Sequence, residues 1–161
     1  MNKRDHVMNA VLLGVGLGAL IEPSGGEATA TAILAVGVPV LLGALVPDID
    51  TVMGSHRKTL HNLPLLVGFL AFPYTFGNLE FVWIGILTHY VLDVAGNTRG
   101  IALFYPLLGR EYGLPVGVPA NSRAADVVTL MITAVELVVA AVALHGFEEG
   151  WFEAVRPVLG L

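Results

Sequence analysis

Apolar residues run through the chain in long blocks separated by short polar turns, and five of those blocks predict helices. They fall at about 7–21, 28–46, 63–76, 79–95 and 124–144. Runs of roughly 18 or more apolar residues read as membrane spans. The pattern therefore predicts an all-α integral membrane protein, a single up-and-down bundle of about five transmembrane helices over residues 1–161. The first and third blocks are short for a hydrocarbon core of ~30 Å, which places some flanking residues among the headgroups. Phe104 to Leu108 form a further apolar patch, too short to span and readable as re-entrant or interfacial. Near the end, GWFEAVRPVLGL carries Trp151 and Phe152, suited to an interfacial anchor. The start, MNKRDHVMNAVLLG, has the basic-then-apolar order of a signal peptide, but no small-x-small site precedes EPSGGE, so it reads as a retained first span.

Composition sharpens the class. Of the residues, 55% are hydrophobic and 13% charged, whereas a soluble domain is nearer a quarter charged; the mean hydropathy is +0.77. Absence of cysteine removes disulfides, thiolate metal sites and a Cys nucleophile, so any metal must sit in a nitrogen and oxygen shell. A net charge of -5 offers no basic face for nucleic acid. Basic residues also orient the chain. With the N-terminus inside, Lys3, Arg4, Arg57, Lys58, Arg99, Arg110 and Arg123 all lie on the cytoplasmic side, and only Arg156 falls outside. The expectation is N-in and C-out, a multi-pass protein of the cell membrane. Gly14 and Gly18 form a GxxxG in the first block, while Gly37 and Gly43 thin the second; such small residues let backbones approach in lipid, here read as bundle packing.

Against this apolar background, GALVPDIDTVMGSHRKTLHN (43–62) gathers Asp48, Asp50, His56 and His61 at the mouth of the second span. His89 and Asp93 stand four apart in the fourth span, hence on one helix face. His6 opens the first span and Asp126 the fifth, all at the same predicted depth. Each piece alone has a plain structural reading. HxxxD is a common helix hydrogen bond, PDID a helix stop with an Asp cap, and HRKTLH a solvated basic loop. Together on one membrane face they point to a shared divalent cation, with His nitrogen and Asp oxygen suiting Zn, Mn or Fe, and carboxylates suiting Mg or Mn. Six candidate ligands exceed the needs of one tetrahedral ion and would serve two. Such an ion makes a coordinated water acidic enough to act as a nucleophile at neutral pH. Arg57 and Lys58, between the loop histidines, suit a phosphate or other anion. His6 and Asp126 read equally as ligands, as partners that orient ligands, or as interfacial residues. Glu136 lies about 15 Å along its helix from Asp126, too deep for the same site, and is expected to be neutral or paired between helices. His145 reads as interfacial.

The order LLGALVPDID, HRKTLHN, then GILTHYVLDVAGNTRGIALFYPL resembles the YdjM-type family of small, LexA-regulated inner-membrane proteins, over roughly residues 41 to 108. Leu60 and Asn62 stand where that family usually has Thr and Ser. The resemblance implies that Asp48, Asp50, His56, His61, His89 and Asp93 are metal-associated, adds His6 as a member, and implies a metal-dependent hydrolase. The expected function is thus a membrane-bound hydrolase at the cytoplasmic face, with one or two Zn, Mn or Mg ions, acting on a phosphoester or lipid headgroup. In it His56 is a ligand or general acid/base, and Arg57 binds the anion. Two other readings stay open: a divalent-ion or proton transporter, and a non-catalytic membrane protein in which a metal staples the loop to the bundle.

Overall fold

The computed structural model describes residues 1–146, and among these every regular element is helical. The expected anchor at Trp151 and Phe152 lies outside the described residues. Helix α1 (Lys3–Ile21) starts earlier than the apolar block because Asn2 and Asp5 form a reciprocal capping box. Asn2 Oδ1 accepts from the Asp5 amide at 3.0 Å, and Asp5 Oδ2 from the Asn2 amide at 2.9 Å. His6 is thereby drawn into the first helical turn and buried. Helix α2 (Gly26–Leu45) runs into a 3-10 turn at Pro47–Ile49 and the short α3 (Asp50–Met53). Helices α4 (Leu63–Phe76) and α5 (Val82–Ala95) have 14 residues each, and α6 (Arg123–His145) closes the described chain.

Three helices are long and apolar enough to cross a membrane: α1, α2 with its short extension, and α6. At 1.5 Å per residue α4 and α5 reach about 21 Å, short of a ~30 Å core. Contacts between helix ends fix an alternating order. His6 at the start of α1 meets Asp93 at the end of α5, Ala44 at the end of α2 meets His89, and the Asn62 amide before α4 bonds the Tyr90 hydroxyl. Arg4 lies 3.5 Å from Asp126 at the start of α6, while His145 at the other end of α6 reaches the Leu20 carbonyl at 3.1 Å. The Asp and His residues of the loop after α2 therefore share one end of the bundle with His6, His89 and Asp93.

Close packing holds that end together. A Cβ on Gly14 would sit 2.6 Å from the Gly37 Cα, so the GxxxG face of α1 is spent on α2 within the chain. At Gly43 and Gly85 the backbones of α2 and α5 approach further. A Cβ on Gly43 would be 2.0 Å from the Val82 carbonyl oxygen, and one on Gly85 would be 2.0 Å from that of Val40. Where lipid offers no hydrophobic drive between helices, such approach and buried hydrogen bonds supply the cohesion. Asn9 supplies two such bonds: its Nδ2 donates to Thr133 Oγ1 at 2.8 Å and Glu136 Oε2 at 2.7 Å, joining α1 to α6. Segment 97–122 then folds under the bundle. It is pinned by the paired amides and carbonyls of Ile101 and Tyr112, and by Arg99 gripping Glu111 through two nitrogens at 2.7 and 2.6 Å. Phe104 to Leu108 are an exposed turn in this segment.

Candidate metal centre

Four pieces of chain deliver the cluster: the first turn of α1 gives His6, the α2–α3 corner Asp48 and Asp50, the loop His56, Arg57 and His61, and the last turns of α5 His89 and Asp93. All eight are linked by contacts of 3.8 Å or less. Imidazole orientation carries the chemistry. His89 Nδ1 lies 2.7 Å from the Ala44 carbonyl oxygen, which can only accept, so Nδ1 holds the proton and Nε2 a lone pair. His61 Nδ1 lies 2.9 Å from Asp50 Oδ2, with the same consequence. The two Nε2 atoms then face each other at 3.1 Å. Neither has a proton to offer, so two lone pairs converge on one point, an arrangement that an electropositive atom between them relieves.

Further acceptors frame the same point. Asp93 Oδ2 is 3.6 Å from His61 Nε2 and 3.8 Å from His89 Nε2, while Asp48 Oδ1 is 3.8 Å from His89 Nε2. Donor atoms of a four-coordinate ion bound at about 2.0–2.2 Å sit roughly 3.3–3.6 Å apart, and the spacings here, from 3.1 to 3.8 Å, bracket that range. His6 stacks flat on His89, ring centroids 3.6 Å apart, and brings Nε2 to 3.4 Å from Asp93 Oδ1. Its Nδ1 is buried without a hydrogen-bond partner. Two three-residue groups have donor atoms close enough for an ion: His6 with His89 and Asp93, and Asp48 with His56 and His61. The short gap between the two Nε2 atoms joins them.

Asp50 stands behind the imidazoles. Fully buried, it takes the His56 Nδ1 at 2.9 Å on Oδ1, and the His61 Nδ1 and the Leu60 amide on Oδ2. That is the place of a carboxylate that orients histidine ligands and raises their basicity. His56 stays open to solvent, its side chain 41% exposed. Arg57 is buried and points inward. Its guanidinium donates to the Arg99 carbonyl at 2.6 Å and lies 3.8 Å from Asp93 Oδ2, while its own backbone takes a left-handed φ of 68°. Burial drives the His61 imidazole below its ordinary pKa, against the opposing pull of Asp50, which keeps it neutral as ligation requires.

Other residues fall elsewhere. Asp126 pairs with Arg4 on the surface. Glu136 lies between helices, its oxygens meeting Asn9 Nδ2 and the Thr88 hydroxyl at 2.7 and 2.6 Å. Asn62 caps α4 by accepting the Leu65 amide at 3.0 Å, and its Nδ2 donates to the Lys58 and Thr59 carbonyls, so it fixes the loop's exit. Sequence reasoning passed over Tyr90, whose hydroxyl donates to the Leu60 carbonyl at 2.7 Å and accepts the Asn62 amide at 3.0 Å. Its signal was its place next to His89, on the helix that carries the site. The Ala44 carbonyl, a backbone atom, left no signal.

A family model described as YdjM inner membrane protein matches residues 1–155. No curated protein and no solved structure matches the chain.

Proposed function

The chain belongs to the YdjM inner membrane protein family, and from that premise we propose a metal-dependent hydrolase of the membrane whose His/Asp cluster faces the cytoplasm and acts on a phosphoester. The observation that carries this reading is the pair of imidazole Nε2 lone pairs, His61 and His89, facing each other at 3.1 Å with both Nδ1 protons committed elsewhere. Those two nitrogens, with Asp93 and Asp48, would hold a Zn, Mn or Mg ion, and His6 and His56 extend the donor set to a second. When bound, such an ion activates water and neutralises charge on a phosphoester oxygen.

The chain's own groups do the rest. Asp50 and the Ala44 carbonyl hold the imidazoles in the tautomer that leaves Nε2 free. His56, solvent-exposed and bonded to Asp50, is placed to exchange a proton with water as the general acid or base. Arg57 balances the negative charge of Asp93 from inside and ties the loop to the segment beneath it. Access is from the Asp48 side, since the side chains of His61, His89 and Asp50 are fully buried while that of Asp48 is 23% exposed. The cytoplasmic assignment rests on the seven basic residues grouped at this end.

The full burial of His89, His61 and Asp50 also favours a second reading, a metal that only staples loop to bundle. Elemental analysis of detergent-purified protein beside Asp93→Ala and His89→Ala tests both. The hydrolase reading expects near-stoichiometric metal and turnover of phosphodiesters in the wild type, and loss of both in the variants. Metal without turnover across a broad ester and phosphoester panel leaves the staple; absence of metal removes both.

A further inference from the structure

Beside the cluster lies an open cavity of about 590 Å³, lined by Lys3 and Asp48 together with Leu42, Leu45, Val52 and Met53. We propose that this cavity seats a bilayer phospholipid with an anionic headgroup, the phosphate toward Lys3 and the cluster and the first carbons of the chains along α2 and α3. The inference rests on the hydrolase reading and names the substrate class of that site.

Three observations converge. The cavity has the mixed lining an amphiphile requires: a cation and the site's most accessible carboxylate among mostly apolar side chains. It opens directly on the cluster, because Asp48 both lines it and brings Oδ1 to 3.8 Å from His89 Nε2. Finally, Val52 and Met53 are 86% and 74% exposed on the short helix that extends α2, large apolar side chains at the end of that span nearest the cluster. A soluble phosphoester would gain nothing from such a wall, whereas a lipid entering sideways from the leaflet would keep its chains in hydrocarbon throughout. Lys3, followed by the equally exposed Arg4, sets the sign of the headgroup. Hydrolysis there breaks one phosphorus–oxygen bond of the headgroup. The water oxygen goes to phosphorus and one of its protons to the departing alcohol oxygen, with no other co-reactant.

The test uses the full chain in phosphatidylcholine vesicles doped with phosphatidic acid that carries a photoreactive diazirine near the ester end of one acyl chain. Cross-links are expected to concentrate in residues 42–53, and excess unlabelled phosphatidic acid, but not phosphatidylcholine, should compete them away. Lys3→Glu, on an exposed side chain, should lower that labelling about fivefold or more, as expected for reversing one charge near a headgroup. Leu45→Trp, which fills the cavity, should lower it too, and Val52→Asp serves as a second, exposed variant if Leu45→Trp does not fold. Labelling spread evenly over lipid-facing helices, or indifferent to all three substitutions, overturns the lipid seat. Metal content and turnover are read on the same preparation. Even labelling with metal and turnover intact defeats the cavity alone, while labelling at 42–53 without metal or turnover defeats the hydrolase and with it the claim that the lipid is a substrate.

Discussion

At the scale of single residues, the site depends less on its proposed ligands than on what holds them. Asp50 touches two imidazoles and no apparent ion position. Replacing it with Asn keeps the shape but gives His61 a neutral acceptor in place of a carboxylate, or a competing donor. Partners of this kind typically cost 10–100-fold in metal affinity when mutated. Asp50→Asn is therefore expected to weaken metal binding about 10–100-fold in competition with a chelator, while Asp93→Ala removes it outright; equal loss in both would make Asp50 a ligand itself. Spacing in the sequence was enough to nominate Asp48, Asp50, His56, His61, His89 and Asp93 and to place them at one depth. It could not separate a carboxylate that faces the cluster from one that stands behind it, because Asp48 and Asp50 are two residues apart and the 3-10 turn at Pro47–Ile49 decides which way each points. His6 was legible as a neighbour, but its flat stacking on His89 depends on a capping box whose Asn2 precedes the apolar block.

At the scale of elements, two contacts between helices bring the proposed ligands together. The first is the backbone approach of α2 and α5 at Gly43 and Gly85. A methyl group at Gly85 would meet the Val40 carbonyl at 2.0 Å, backbone that cannot swing aside, so the helices must part. Overpacking of this kind usually costs about 1–3 kcal/mol. Because α2 leads to Asp48 and α5 carries His89, Gly85→Ala should lower both the melting temperature in detergent and the metal content. Gly68→Ala, where nothing lies within 4 Å, should change neither adversely. The second contact is polar. The Thr88 hydroxyl has one proton and lies 2.6 Å from two oxygens, Asn9 Oδ1 and Glu136 Oε1. An amide at 136 could donate as well as accept, so Glu136→Gln should preserve stability. Glu136→Leu strips partners from Asn9 and Thr88 and should cost about 1–3 kcal/mol. Thermal unfolding in detergent checks both, and a Gln variant as unstable as the Leu variant would show that the carboxyl itself is required. The glycines announced close packing in the sequence, and Glu136 announced a partner. Which residues would be those partners was hidden, since Asn9 and Thr88 are polar residues like many others until α1, α5 and α6 meet.

At the scale of the whole molecule, alternation of helix direction is what gathers four pieces of chain at one end, and it makes a claim that labelling can test. The chain has no cysteine, so single cysteines report position without a background. Ser55 and Asn121 are exposed at the cluster's end of the bundle, and Ser24 and Asn78 are exposed at the other. If seven basic residues hold the cluster's end in the cytoplasm, Ser24→Cys and Asn78→Cys should react with an impermeant maleimide in intact cells or spheroplasts. Ser55→Cys and Asn121→Cys should react only after the membrane is opened. The Asn78 position decides most. It lies between α4 and α5, whose 14 residues reach only about 21 Å, so its labelling from outside requires the bilayer to thin or the flanking residues to cross with it. Were Asn78→Cys to label from inside alongside Ser55→Cys while Ser24→Cys labels from outside, α4 and α5 would form a hairpin that enters from the cytoplasm and returns. The long helices α1, α2 and α6 would then carry the crossings alone, and His89 and Asp93 would still reach the cluster from the end of that hairpin.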